Sequence, residues 1–185
     1  MKQAVFVTSL LAVSAVAGYL AYEAWLAGKT PASAKQITSV EDLSEAAILR
    51  PDFTLPDVEG IDRSVEEWSG QALVINFWAT WCAPCRREIP MLIKLQEEYQ
   101  DQDVQVIGIA VDFPEEVKDY AAETPFNYPV LVGEQEAIDV AQQFGVDFIG
   151  LPFTVFTAPD GQVVEVHTGE LLHEDAVDSL QKALD

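Results

Sequence analysis

The sequence predicts an α/β domain in which buried strands alternate with helices, and three patterns support that fold class. An apolar, β-branched run from Leu73 to Trp78 is typical of a buried strand. A second apolar run, Val104 to Val111, predicts a parallel strand. Between the two runs, Leu92, Leu95 and Tyr99 recur at spacings of three and four residues, which places them on one face of a helix.

The rest of the chain predicts shorter elements. Ser64 and Glu67 have the spacing of a capping box at the start of one helical turn. The sequence Pro159-Asp160-Gly161 predicts the turn that closes a hairpin. The remaining predicted elements, in chain order, are a helical turn at Ser64 to Trp68, a helix that begins at the cysteine motif and runs to about Gln100, a helix at Glu115 to Glu123, a strand at Val130 to Val132, a helix at Gln135 to Phe144, a hairpin of Phe153 to Thr157 with Val163 to His167, and a closing helix at Glu174 to Leu184.

The charge balance is strongly acidic, with 31 acidic against 10 basic residues. From Lys35 onward there are 30 acidic and 8 basic residues, which gives this part a formal net charge of −22. Nucleic-acid binding needs a basic surface, so it is excluded, as is docking on anionic lipid headgroups. The acidic surface either keeps the protein soluble, for instance in a salty medium, or steers it toward basic partners.

The N-terminal segment predicts a membrane anchor. Ala4 to Tyr22 is a run of 19 residues without a charge, close to the ~20 residues that span a bilayer. Tyr19, Tyr22 and Trp25 suit the interface at its far end. A cleaved signal peptide is the alternative, because Ala32-Ser33-Ala34 has the small residues of a cleavage site. Either segment would export the rest of the chain.

The chain therefore divides into three predicted parts. Residues 1–28 form the anchor or uncleaved signal, residues 29–50 form a linker with mixed small and polar residues, and residues 51–185 form the folded domain.

Two cysteines lie where the first buried strand gives way to the helix. Backbone N–H groups at a helix N-terminus are unpaired and carry partial positive charge, which favours a thiolate at Cys82 or Cys85. Two intervening residues in a first helical turn bring both sulfurs within reach of a disulfide. Pro84 is pre-set for the start of a helix and is expected to rigidify the pair.

The two thiols are expected to have different roles. Cys82, at the turn, should be the more exposed and is the predicted attacking thiol. Cys85, one turn inside the helix, should be shielded and is the predicted resolving thiol, which cleaves the mixed disulfide formed at Cys82. Arg86 and Arg87 either lower the pKa of Cys82 further or are simply exposed and screened, and we favour the second interpretation.

The residues Asn76-Phe77-Trp78-Ala79-Thr80-Trp81-Cys82-Ala83-Pro84-Cys85 resemble the active site of thioredoxin-like proteins. More narrowly, the motif is similar to that of the membrane-anchored TlpA/ResA group of extracytoplasmic thiol-disulfide reductases, to which the CcmG/DsbE-type cytochrome c maturation reductases are related. The resemblance covers about residues 51–185. It implies a three-layer α/β/α fold with a central mixed β-sheet and a short opening strand at Pro51 to Pro56. The elements between Glu115 and Phe144 resemble the insert of this group.

The resemblance also assigns further site residues. It implies that Pro152 is a cis-proline beside the cysteine pair and that the backbone of Leu151 offers hydrogen bonds to an extended substrate. Glu88 matches a glutamate that takes or gives the proton of the second cysteine, here Cys85. The alternative is that Glu88 is a solvated helix charge paired with a nearby arginine. Asn76 stands where many thioredoxins have a buried aspartate, and an amide cannot shuttle a proton.

The predicted substrate-binding residues are Trp81, Pro84, Leu151 and Pro152. Trp81 is expected to shape the rim that receives the partner, whereas Trp78 is expected to be a packing residue. No cofactor and no metal are predicted.

Three classes of function compete. The first is an enzyme that reduces disulfides in exported proteins, in cytochrome c maturation or oxidase assembly. The second is a copper metallochaperone, since a cysteine pair can hold copper, although copper-carrying relatives usually have three residues between the cysteines. The third is a non-catalytic thioredoxin-like interaction module, against which the retention of both cysteines counts.

The resemblance also implies partners and a location. The predicted substrates are oxidised exported proteins, with apocytochrome c and a copper-assembly factor as candidates. The predicted electron donor is a membrane protein of the CcdA/DsbD type. The predicted location is the inner (cytoplasmic) membrane, crossed once by the N-terminal helix, with the catalytic domain facing the periplasm or the cell exterior.

Overall fold

The computed structural model describes residues 48–144 and 150–185. The predicted anchor at 1–28, and nearly all of the predicted linker at 29–50, lie outside these residues, and both stay predictions. Within the described part of the chain, no helix has the length and apolar character that a membrane crossing requires.

The described residues form a small mixed α/β domain whose elements follow the predicted order. In chain order they are β1 (Thr54–Pro56), β2 (Asp62–Ser64), a 3-10 helix (Val65–Trp68), β3 (Ala72–Trp78), α1 (Ala83–Tyr99), β4 (Val104–Val111), α2 (Pro114–Glu123), β5 (Val130–Gly133), α3 (Gln135–Gln143), β6 (Phe153–Thr157), β7 (Val163–Thr168) and α4 (His173–Leu184).

The main sheet has five strands in the order β5-β4-β3-β6-β7. β3 pairs in parallel with β4, where Ile75 lies opposite Ile107, and β4 pairs in parallel with β5. On its other side β3 pairs antiparallel with β6, where Ile75 lies opposite Val155, and β6 pairs antiparallel with β7. The sheet is therefore mixed, which confirms the prediction.

The opening of the domain differs in part from the prediction. β1 is shorter than the predicted strand and pairs with β2 in a separate two-stranded sheet. The sequence did not predict β2, because Asp62-Arg63-Ser64 has no apolar alternation to mark a strand. The helical turn after it is confirmed: Glu66 N donates to the Ser64 hydroxyl and Ser64 N donates to Glu67 Oε1, which completes the capping box.

β3 lies at the centre of three layers, and all seven of its residues are buried. Because side chains alternate across a strand, Val74 packs on one face against α1 and α4, in a cluster with Leu92 and Leu180. Ile75 packs on the other face in a cluster with Ala141 of α3. The sheet thus lies between helices on both faces, as an α/β/α arrangement requires.

Trp78, the last residue of β3, is a packing residue, as predicted. It is almost fully buried, and its ring lies 5.3 Å from that of Tyr120 and 5.7 Å from that of Phe126. Gly108 on β4 leaves room for it, since a Cβ there would lie 3.2 Å from Trp78 Nε1.

Candidate active site

The two cysteines form a disulfide at the junction of β3 and α1, with a Cα–Cα distance of 5.3 Å. Cys82 is the N-cap of α1, Pro84 lies in its first turn, and Cys85 N donates to Cys82 Sγ at 3.3 Å. The predicted strand-to-helix corner is confirmed. Cys82 Sγ therefore lies at the positive end of the helix dipole, which stabilises a thiolate once the disulfide is reduced.

The exposure of the two cysteines differs less than the sequence predicts. Cys82 is 5% exposed and Cys85 is fully buried, so the order is confirmed but Cys82 is not an exposed residue. The physical reason is its capping position, because a side chain that accepts from the N–H of the first turn folds back over the helix end. Cys82 is therefore open to a partner over only a small part of its surface.

A buried carboxylate fixes the turn that leads into the motif. Asp112, which directly follows β4, is 7% exposed. Its Oδ2 accepts from the backbone N–H of Thr80 at 2.8 Å and from the hydroxyl of Thr80 at 2.6 Å. Its Oδ1 accepts from Phe113 N at 2.9 Å. The carboxylate therefore ties the end of β4 to the residue two positions before Cys82.

We expect Asp112→Ala to destabilise the oxidised domain by about 2 kcal/mol, because all three hydrogen bonds to the carboxylate are lost and the Thr80 N–H is left without its partner. Urea unfolding measures this as a shift in the midpoint. Asp119→Ala, which removes an exposed carboxylate from α2, is the matched control and should stay within about 0.5 kcal/mol of the wild type. A wild-type midpoint for Asp112→Ala would show that the carboxylate does not hold the turn.

Glu88 is buried in the structure, one helical turn after Cys85. It is 2% exposed, and its Oε2 accepts from Leu171 N at 2.7 Å. Burial raises the pKa of this carboxyl from 4.5 to about 7, while the hydrogen bonds from Leu171 and Asn76 act in the opposite direction. The alternative of a solvated charge paired with an arginine is wrong, because the neighbouring Arg87 pairs with Glu170 instead.

Asn76 holds the other oxygen of Glu88. Its Nδ2 donates to Glu88 Oε1 at 2.7 Å and to Thr154 Oγ1 at 3.0 Å. The amide thus connects the central strand β3 to α1 and to β6 through one buried side chain. The sequence marked Asn76 only as a departure from the aspartate of many thioredoxins, whereas the structure gives it a role as hydrogen-bond donor to the carboxyl.

The Leu151–Pro152 peptide bond is cis, as the resemblance implied. Because Phe153 pairs with Phe77 near the end of β3, this segment lies beside the strand end from which the cysteine corner continues. The carbonyl of Pro152 accepts from Gly169 N at 2.9 Å. Over the residues that the structure describes, no hydrogen bond reaches the backbone of Leu151, so its N–H and C=O can pair with an added strand.

The rim of the corner is aromatic. Trp81 is 68% exposed and Phe113 is 58% exposed, and both line a cavity of about 310 Å³ together with Glu134 and Ile138. Pro84 is half-buried. Trp81 therefore stands beside Cys82 with most of its surface free to contact a partner.

Four contributors to this site carry no role in the sequence-based prediction: Asn76, Asp112, Thr154 and Leu171. The position of Asp112 could have been predicted to matter, because polar residues that follow neighbouring parallel strands meet at one edge of a sheet. Thr80 follows β3, and Asp112 follows β4. No sequence pattern predicts the contact between Glu88 and Leu171. It joins residues 83 positions apart, and the donor is a backbone N–H that every residue except proline provides.

Comparisons with known proteins agree with this geometry. Residues 49–166 match the model of the AhpC/TSA family. The thiol-disulfide oxidoreductase ResA of Geobacillus thermodenitrificans is 33% identical over 132 residues, which are 71% of this chain and 74% of the relative. ResA of Halalkalibacterium halodurans is 32% identical over 168 residues, which are 90% of this chain and 86% of the relative.

A solved structure is similar over the same region. A thiol:disulfide interchange protein of the thioredoxin family from Chlorobium tepidum superimposes with a TM-score of 0.67 at 29% identity, covering 74% of this chain and 96% of that one. The fold, the cysteine corner and the relatives agree on one chemistry, the exchange of thiols and disulfides. The chain belongs to the AhpC/TSA family and, within it, to the thiol-disulfide oxidoreductases of the ResA type.

Proposed function

We propose that this oxidoreductase works as a reductase, which passes two electrons from its cysteine pair to disulfides in exported proteins. The observation that carries the proposal is the asymmetric placement of the pair. Cys82, the less buried cysteine, is the N-cap of α1. Cys85, which is fully buried, lies one turn inside the helix, and the buried carboxyl of Glu88 follows one turn later. Such an arrangement suits one attacking thiol and one resolving thiol.

The reaction begins from the reduced pair. The Cys82 thiolate attacks one sulfur of the substrate disulfide, a bond forms between the two sulfurs, and the other substrate sulfur leaves as a thiolate and takes up a proton. Cys85 gives its proton to the Glu88 carboxylate and then attacks the sulfur of Cys82. The Cys82–Cys85 disulfide forms, and the second substrate sulfur leaves as a thiolate and takes up the proton that Glu88 holds.

Glu88 suits the proton step because of its surroundings. A carboxyl with a pKa of about 7 is present in both protonation states near neutral pH, so it can accept a proton from a thiol and return it. Asn76 and Leu171 hold its two oxygens in place, which leaves little reorganisation at the moment of transfer.

Substrate binding is proposed to use the backbone of Leu151 and the exposed face of Trp81. An extended segment of the partner would pair with Leu151 as an added strand, and its cysteine would then lie against Cys82. Pro152 and Pro84 shape this contact and rigidify it.

The location is proposed from the sequence. An uncharged run of 19 residues at Ala4 to Tyr22 supports an inner-membrane anchor with the domain on the periplasmic or outer side. Alkylation of the reduced protein in intact cells with a membrane-impermeant maleimide tests this. Labelling of Cys82 without lysis supports the proposed side, and labelling only after lysis contradicts it.

The substrates are proposed to be apocytochrome c or a copper-assembly factor, with a CcdA/DsbD-type membrane protein as electron donor. Cys85→Ser, expressed in the cells that make the protein, should retain its substrate as a disulfide on Cys82 that survives denaturing purification and is released by dithiothreitol. Cys82→Ser is the control that cannot form this bond. Capture of no protein by Cys85→Ser would count against a protein substrate.

Insulin reduction with a parallel copper titration separates the three function classes. A reductase accelerates insulin precipitation in the presence of dithiothreitol and is inhibited when copper occupies the thiols. A metallochaperone binds one copper ion tightly and leaves insulin oxidised, and an interaction module does neither. In the described residues no group of three or more His, Cys, Asp or Glu side chains is placed to hold a metal, so a copper site would rest on the two sulfurs.

A further inference from the structure

Two neighbouring side chains of α1 hold two neighbouring residues of the loop that joins β7 to α4. Arg87 Nε donates to both carboxylate oxygens of Glu170, at 3.1 and 3.0 Å, and Arg87 Nη2 donates to Glu170 Oε2. One residue further along each segment, Leu171 N donates to Glu88 Oε2 at 2.7 Å. The loop is therefore fastened to the cysteine helix at two consecutive positions.

The same loop touches the cis-proline segment. Gly169 N donates to the carbonyl of Pro152 at 2.9 Å, and the ring of His167 lies 3.3 Å from the carbonyl of Glu170. Leu171 is 2% exposed and packs in the cluster that contains both cysteines. The Arg87–Glu170 pair closes this arrangement on its solvent side, where Arg87 is 59% exposed.

We propose that Arg87 and Glu170 form a positioning clamp, which fixes the Leu171 N–H against Glu88 and so sets the proton affinity of the carboxyl at the redox site. The proposal rests on the proposed function in one respect, namely that Glu88 exchanges the proton of Cys85. Neither clamp residue touches the reacting sulfurs in this scheme. Arg87 acts through Glu170, and Glu170 acts through the position of Leu171 and through its own charge.

The bidentate geometry is what makes a surface pair suitable for this task. A single exposed ion pair contributes little to stability, but two parallel N–H···O bonds fix orientation as well as distance. Side chains at adjacent positions of a helix point in different directions, so Arg87 reaches Glu88 through the loop rather than directly.

The groups that face Glu88 set the direction of the effect. They are the Leu171 N–H and the Glu170 carboxylate from the loop, Asn76 from β3, and Tyr128, whose pKa burial raises so that it stays neutral. The Leu171 hydrogen bond lowers the pKa of Glu88 and the Glu170 charge raises it. Loss of Arg87 weakens the Leu171 hydrogen bond to Glu88 and leaves the Glu170 charge unpaired. Both changes raise the pKa of Glu88.

The test uses the oxidised protein with Arg87→Ala, Glu170→Ala and the double variant, and it reads two quantities by NMR. The first is the pKa of the Glu88 carboxyl, and the second is the exchange rate of the Leu171 amide hydrogen. We expect Arg87→Ala to raise the pKa by about one unit and to speed Leu171 exchange about tenfold. Lys94→Ala, which removes the exposed partner of Glu98 from the same helix, should change neither quantity.

The double variant decides whether Arg87 acts through Glu170. If it does, Arg87→Ala added to Glu170→Ala changes neither the pKa nor the exchange rate further. The clamp would be overturned if Arg87→Ala left the Glu88 pKa and the Leu171 exchange rate unchanged. It would also be overturned if Arg87→Ala changed them as much in the Glu170→Ala variant as in the wild type. Insulin reduction by Glu88→Gln is measured separately. A wild-type rate there refutes the proton role of Glu88, while the two NMR readouts still decide the clamp.

Discussion

The Cys85→Ser variant should accumulate as a covalent complex with its substrate, while its turnover in insulin reduction falls by about three orders of magnitude, as expected for loss of one member of a catalytic unit. The sulfur of Cys82 remains at the N-cap of α1, where it can attack a disulfide. No second thiol lies inside the helix to release the product, because Cys85 is the partner in the disulfide and the described residues contain no further cysteine.

Mass spectrometry of the denatured complex measures the trapped bond directly. Cys82→Ser is the matched control, because it removes a sulfur 3 residues away in the same motif but leaves only the fully buried thiol of Cys85. That variant should neither trap a substrate nor turn over. Trapping by Cys82→Ser, with none by Cys85→Ser, would reverse the assigned roles.

Glu88→Gln should slow insulin reduction near neutral pH by about 10²-fold, at the lower end of what general acid–base catalysis contributes. The amide keeps the shape of the carboxyl, but it cannot take the proton of Cys85, and its single oxygen can accept from only one of the two donors, Asn76 Nδ2 and Leu171 N. The pKa values of the two thiols, measured by alkylation rate against pH, should change as well. Wild-type rate and wild-type thiol pKa values would together contradict the role.

The same substitution should change how stability depends on pH. Since the pKa of Glu88 is about 7 in the folded state and 4.5 in a free carboxyl, the folded protein binds the proton more tightly than the unfolded chain. This contribution to stability is present below pH 4.5 and is lost as pH rises through 7. It corresponds to about 3 kcal/mol.

Urea unfolding of the oxidised protein between pH 4 and pH 8 measures the difference from the wild type. The stability of Glu88→Gln relative to the wild type should rise by about 3 kcal/mol across this interval. Glu97→Gln, the same change at an exposed position of α1, should follow the wild type. A constant difference between Glu88→Gln and the wild type would show that the carboxyl keeps an ordinary pKa.

Local sequence patterns predicted the elements that build the site, because they depend on spacing alone. The apolar run of β3, the cysteine pair and the helical repeat of α1 follow one another within the chain, so their order fixes the corner. β2 has no such pattern: it is three polar residues, and only its pairing with β1 makes it a strand.

The hydrogen bonds that tune the site could not be predicted in the same way. Asn76 reaches Thr154 across 78 positions, and Thr80 reaches Asp112 across 32. Such contacts depend on which strands lie side by side and in what register, which periodicity does not encode. The exposure of Cys82 was overestimated for a related reason, since the direction of its side chain follows from the cap it forms.

The central claim is that Cys82 and Cys85 interconvert reversibly between dithiol and disulfide. A redox titration of the purified protein, quenched with an alkylating reagent and read by mass, measures this directly. We expect one reversible two-electron transition between about −120 and −300 mV, the range of thioredoxin-like pairs. A pair that stays oxidised or stays reduced throughout that range would contradict the claim.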